Sequence, residues 1–186
     1  DLKAVEKNKS AWVTLPNSEF DPSLGTDIYN RYLGEMALAD ELGFDGVCAN
    51  EHHQTAYGLM PAPNLIAAAL TRTTKRAKIA VLGRALPLVS NPVAVAEEFA
   101  MLDQMSGGRL ITGFVRGIGS EYFASAIDPT TSHERYYEAH ELILQAWTRP
   151  GPFSYHGKHY RFDYVNIWPR PVQNRIHPCG CHRKAP

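Results

Sequence analysis

The chain is poor in cysteine, has no surplus of charge of either sign and contains no long apolar run. Each absence removes a class of protein. There are three Cys among 186 residues. Two of them, Cys179 and Cys181, sit together near the end and make no disulfide framework, so the expected compartment is a reducing cytoplasm. Lys and Arg total 19 and Asp and Glu total 19. With no basic block standing out, nothing draws the chain to nucleic acid or to an anionic membrane. The longest apolar runs, such as Leu65–Leu70, fall far short of the ~20 residues that cross a bilayer. The opening Asp1-Leu2-Lys3-Ala4-Val5-Glu6-Lys7 lacks the apolar stretch of a secretion signal. What remains is 44% hydrophobic and 20% charged, the balance of a folded globular domain.

Pro16, Asn17, Pro22 and Gly25 punctuate residues 1–25, which read as an N-terminal loop. A regular pattern follows. Thr26 or Asp27 caps a helix whose apolar face is Ile28, Tyr32, Met36 and Ala39, and Gly43 stops it. Phe44–Asn50 reads as a short strand ending in Glu51-His52-His53. A second helix is expected over Asn64–Thr73, then a strand over Lys78–Gly83. Asn91-Pro92 caps a third helix that Gly107-Gly108 ends. Arg109–Val115 is the third strand and Ser132 opens a fourth helix. Helix and strand alternate, and the strands are apolar without alternation, the signature of βα units around a parallel sheet buried on both faces. Near residues 153–168 a hairpin with a His156-Gly157 turn interrupts this rhythm. Three strands are too few for a (β/α)8 barrel of ~250 residues. The first helix also has no strand before it, so the expected fold class is α/β and the spacing suggests a piece of something larger.

Chemistry in such folds gathers at the carboxyl ends of the strands. Three are visible: Asn50-Glu51-His52-His53, Gly83-Arg84-Ala85-Leu86-Pro87 and Val115-Arg116-Gly117-Ile118-Gly119. Neighbouring residues on a strand face opposite ways, so His52 and His53 are not expected to share a site. Either could instead bond loop backbone. A metal centre needs further ligands at other strand ends, which offer Arg and Gly, so none is expected. Arg116 before Gly117-Ile118-Gly119 suits a phosphate or carboxylate, or else a rim ion pair. The Gly spacing is too short for a dinucleotide fingerprint. Arg135, one turn into the fourth helix, is unremarkable by itself. The Cys/His tract from His177 to His182 is too crowded to close around one tetrahedral ion.

Several motifs nevertheless stand in one collinear register over residues 10–173. They are Leu42-Gly43-Phe44-Asp45-Gly46-Val47 with Asn50-Glu51-His52-His53, then Asn91-Pro92, Glu97-Glu98 and Leu102-Asp103-Gln104-Met105-Ser106-Gly107-Gly108-Arg109-Leu110. Phe114-Val115-Arg116-Gly117 and Tyr164-Val165-Asn166-Ile167-Trp168-Pro169-Arg170-Pro171 continue the series. Together they resemble the bacterial luciferase-like family of flavin-dependent monooxygenases. The resemblance implies a (β/α)8 barrel that binds reduced FMN at its C-terminal rim, of which this chain would be a partial (β/α)8 TIM barrel, with the first strand and the C-terminal half missing. Reduced flavin and O2 would form a flavin hydroperoxide that oxygenates a small organic substrate, with reducing equivalents from a separate NAD(P)H flavin reductase. His52 would assist proton transfer. The Arg84-Ala85-Leu86 backbone would lie beneath the flavin ring, where the family has a strained peptide. Val115 stands where luciferase carries a reactive Cys. Arg116 and Arg135 would hold the phosphate. Within the fold the alternative cofactor is a deazaflavin serving a hydride-transferring oxidoreductase; from other classes come a non-catalytic barrel subunit or an inactive truncated product. An apolar exterior helix face fits a homodimer.

The resemblance divides the chain into residues 1–25, a partial barrel over 26–173 and a tail over 174–186. The tail departs from the family, which continues with Pro-His-Pro-Pro and a Ser/Gly/Thr-rich turn that completes the phosphate site. Joining the third base of each codon to the first two of the next, from Gln173 onward, permits Lys-Pro-His-Pro-Pro-Val-Trp-Val-Pro-Ser-Gln-Gly-Ser. Residues 174–186 are thus expected to be a frameshifted, non-native reading, which a nucleotide read across these codons checks. The isolated chain is expected to expose apolar strand edges, fold incompletely and bind little flavin.

Overall fold

A computed structural model describes residues 2–173 together with the backbone of residues 178 and 179. The opening segment carries more structure than its Pro and Gly content suggests. It contains helix α1 (Leu2–Lys7), a 3-10 turn at Asn17–Glu19 and the first turn of α2 (Pro22–Glu41). The long helix starts one turn before the expected Thr26 or Asp27. The reason is the Asp21-Pro22 pair: the Asp21 carboxylate accepts from the N–H groups of Ser23 (2.9 Å) and Leu24 (3.3 Å), and Pro22 needs no N–H partner in the first turn.

From there strands and helices alternate: β1 (Gly46–Ala49), α3 (Pro63–Thr73), β2 (Lys78–Ala85), α4 (Pro92–Ser106), β3 (Leu110–Val115), a short α5 (Gly119–Ala124) and α6 (Ser132–Thr148). Asn91 caps α4 by accepting from Ala94 N–H at 3.1 Å, and Gly107 ends it in the left-handed conformation (φ +65°). Strands β1, β2 and β3 are parallel neighbours, with Gly46 opposite Lys78 and Ile79 opposite Leu110. The backbone of β6 (Pro178–Cys179) adds in parallel beside Thr112 and Gly113, making the sheet order β1-β2-β3-β6. Residues 174–177 and 180–186, which hold the rest of the expected non-native tail, lie outside the described residues. The interruption is the expected hairpin, β4 (Phe153–His156) with β5 (Arg161–Val165). It is seated on α6 by Glu138, whose carboxylate accepts from the N–H groups of Lys158, His159 and Tyr160 at 2.9, 2.8 and 3.2 Å.

The core lies between the sheet and its helices. Ile79, Val81 and Leu110 pack with Leu70, Phe99, Leu142 and Ile143, all fully buried. Each such side chain contributes about 2 kcal/mol through burial. The apolar run of each strand predicts burial on both faces, but the structure buries one. Along β2 burial alternates, and Leu82 on the open side is 38% exposed. In a βα barrel the helices lie only on the outside, and the opposite face lines the interior, so both faces are apolar for different reasons.

At the amino end of the strands the polar groups are satisfied in full. Asp40, 5% exposed, accepts from the N–H groups of Ala77 (2.6 Å), Lys75 (2.8 Å) and Arg76 (2.9 Å). Those bonds, Ala77 foremost, hold its carboxyl down to about 2 from the usual 3.8. Arg109 makes five hydrogen bonds: Nε to Ser106 O, Nη1 to Thr74 Oγ1 and Ala77 O, Nη2 to Thr71 O and Thr74 O. No helix among the described residues is long and apolar enough to cross a membrane.

Candidate functional site

The carboxyl ends of β1, β2 and β3 come together through carboxylates that sequence reasoning did not assign a role. Glu51, immediately past β1, is buried. Its two oxygens receive Arg84 Nη1 (2.9 Å), His53 Nε2 (2.8 Å) and the N–H of Ala85 (3.3 Å). One buried carboxylate thereby ties the ends of β1 and β2. A buried acid requires a cation, and Arg84 at the neighbouring strand end was the available signal.

His52, in the loop that follows β1, takes a different partner. Its Nδ1 lies 3.2 Å from Oε1 of Glu121, a residue of α5 that is 3% exposed. The other Glu121 oxygen accepts from Ile118 N–H at 2.9 Å. The His52 ring meets Trp12 and Tyr57 edge-to-face at 5.7 and 5.3 Å, and those two rings stack on each other at 4.0 Å. A Cβ on Gly58 would come within 2.9 Å of His52 Cδ2, so glycine is what allows the loop to close against this edge. Trp12, Tyr57 and Glu121 are the members of the site that sequence reasoning missed. Glu121 stands three residues after Ile118, the spacing of an acidic group that reaches back to a helix start.

The expected cofactor residues separate into four kinds. Ala85 and Leu86 are 2% and 0% exposed, so their side chains belong to the core and only their backbone reaches the rim. A non-proline cis peptide joins Leu82 to Gly83, just upstream of this stretch. Arg84 keeps a buried Nε with no hydrogen-bond partner. Val115, 43% exposed, ends β3, and Arg116 follows it with an exposed guanidinium that makes no hydrogen bond or ion pair among the described residues. The Arg116 backbone is nevertheless held, because Tyr122 Oη donates to the carbonyls of Arg116 (2.8 Å) and Gly117 (3.2 Å). Arg135 has partners of its own: Nε donates to Pro87 O (3.0 Å), Nη2 to Val89 O (3.2 Å), and the guanidinium lies over the Tyr160 ring at 5.0 Å, while Nη1 makes no hydrogen bond among the described residues. It clamps the loop after β2 to α6, and no hydrogen bond joins it to Arg116.

The chemistry open to this rim is anion binding at an unpaired Arg beside a glycine turn, next to an oriented imidazole. Among the described residues no group of His, Cys, Asp or Glu could hold a metal ion. The crowded Cys/His tract from His177 to His182 lies outside them, apart from the backbone of Pro178 and Cys179.

A family model described as luciferase-like monooxygenase matches residues 10–182. Among curated proteins the chain is 37% identical over 160 residues to Uncharacterized protein y4wF of Sinorhizobium fredii, covering 83% of this chain and 45% of that protein. It is 29% identical over 154 residues to the FMNH2-dependent dimethylsulfone monooxygenase of Pseudomonas putida, covering 81% of this chain and 41% of that protein. The solved structure of monooxygenase RslO1 from Streptomyces bottropensis superposes with a TM-score of 0.72 at 36% identity, over 78% of this chain and 44% of that one. The chain spans less than half the length of these relatives.

Proposed function

The chain belongs to the luciferase-like monooxygenase family, and on that premise we propose that it carries the reduced-FMN rim of an enzyme that oxygenates a small organic substrate with O2. The observation that carries this reading is Arg116, a guanidinium without a partner among the described residues, at the end of β3 and beside Gly117. The residues present fit a flavin phosphate and ring. Arg116 offers a planar fork for the phosphate, and Arg84 holds a buried, unpaired donor at the next strand end. When bound, reduced flavin supplies the electrons that activate O2, delivered to it by a separate NAD(P)H flavin reductase.

The chain's own residues bind and orient. Arg116 holds the phosphate, and its backbone is fixed by Tyr122 so that the fork has a defined origin. Glu51 locks Arg84 and the Ala85 N–H, which sets the backbone of the β2 end against the ring. His52 holds or moves a proton at Nε2, with the stacked Trp12 and Tyr57 rings packed against one side of the imidazole. Arg135 acts at one remove by clamping the Pro87–Val89 carbonyls. In this reading turnover belongs to a protein of the relatives' length in the cytoplasm.

The test is His52→Ala in the enzyme completed to that length. Product formation should fall by roughly a hundredfold or more while FMN binding is retained, as for loss of a general acid or base. Unchanged turnover would remove His52 from the chemistry. The absorption spectrum of the retained cofactor separates FMN from a deazaflavin.

A further inference from the structure

Two adjacent histidines leave the end of β1, and their hydrogen bonds divide them. His53 spends Nε2 on Glu51. His52 spends Nδ1 on Glu121 and makes no hydrogen bond through Nε2 among the described residues. Resting on the reading that His52 handles a proton, we propose that Glu121 is its positioning residue: it fixes the imidazole as the Nδ1–H tautomer and leaves the Nε2 lone pair as the reactive site.

The reasoning is one of donors and acceptors. A carboxylate only accepts, and Glu121 Oε2 is already committed to the Ile118 N–H at 2.9 Å, which fixes how the carboxylate is turned. Oε1 then faces Nδ1 at 3.2 Å, and the contact is favourable when Nδ1 carries the hydrogen. The ring cannot easily swing away. Gly58 abuts the Cδ2 edge, and Trp12 and Tyr57 approach at interplanar angles of 85° and 81°. Nδ1 and the Cδ2 edge are thus both held. The remaining nitrogen, Nε2, is left to the rim. A plain structural role for Glu121, capping Ile118 at the start of α5, would not constrain the imidazole proton.

The two roles separate in the 15N spectrum of the enzyme completed to the relatives' length. The His52 ring nitrogens are read in multiple-bond 1H–15N correlation at the alkaline end of its titration, where the ring is neutral, and are assigned by their loss in His52→Gln. The expected spectrum has Nδ1 in the protonated, pyrrole-type position and Nε2 in the unprotonated, pyridine-type position. Glu121→Gln can keep the Ile118 bond through its amide oxygen while turning an NH2 donor toward Nδ1, so the pattern should reverse. A wild-type ring carrying its hydrogen on Nε2, or the same tautomer in both proteins, overturns the proposal. The wild-type spectrum decides alone if the variant does not fold. In the completed enzyme Glu121→Gln should lower kcat roughly tenfold to a hundredfold with FMN affinity unchanged. A reversed tautomer with unaltered turnover would leave Glu121 as the orienting group and overturn the assignment of proton transfer to His52.

Discussion

The two ends of the sheet use the same residue types for opposite purposes. At the amino end, Asp40 collects three N–H groups and Arg109 fills its fork with five hydrogen bonds. At the carboxyl end, Arg84 leaves Nε unpaired, Arg116 projects without a partner among the described residues, and His52 keeps Nε2 open. Saturated polar groups stabilise; unsaturated ones are held in readiness. The contrast matches the division in βα barrels between a structural amino end and a functional carboxyl end. Glu51 belongs to both, because it is a saturated buried acid placed at the functional rim.

The contrast can be broken by variants on either side. Arg109→Ala should have the largest effect, about 4 kcal/mol of stability lost in denaturant unfolding, because it strands several carbonyls at once. Glu51→Ala should cost about 3 kcal/mol by leaving the Arg84 guanidinium without its carboxylate, and a rim residue with no stability effect would show that Glu51 is not the tie between β1 and β2. Asp40→Asn acts through pH. Because the folded-state carboxyl is held down to about 2 from 3.8, its contribution is complete above about 3.8 and is lost as pH falls through about 2. Urea midpoints followed over that acid window should therefore slope in the wild type more than in the variant. The smallest stability change belongs to Arg116→Ala, within about 0.5 kcal/mol, since an exposed side chain without partners is removed.

Much of the fold was legible because local chemistry dictated it. Asn91-Pro92 and Gly107 set the ends of α4, and the apolar centres of β1 to β3 stand where their sequences place them. The hairpin is present too, but its turn spans residues 157–160 and not His156-Gly157, because His156 still pairs with Arg161 in the ladder and Gly157 N–H donates to Tyr160 O. The start of α2 was not, since Asp21-Pro22 sits among turn residues that mask a cap. Nor was α5, six residues with no apolar period. Positions of His52, Arg84 and Arg116 followed from their places at strand ends. Their partners did not, because Glu121 reaches His52 across 69 residues of chain and that pairing exists only once β1 and β3 share a sheet. Arg135 shows the same limit from the other side: its sequence position says nothing of the Pro87 and Val89 carbonyls that occupy it.

The most direct test of the unsaturated rim is FMN affinity measured by flavin fluorescence for wild type and Arg116→Ala in the completed enzyme, beside a thermal melt of each. The account predicts affinity weakened about tenfold or more, the loss of one charge-assisted contact, with superimposable melts. Equal affinities, or a melt lowered as far as that of Arg109→Ala, would contradict it.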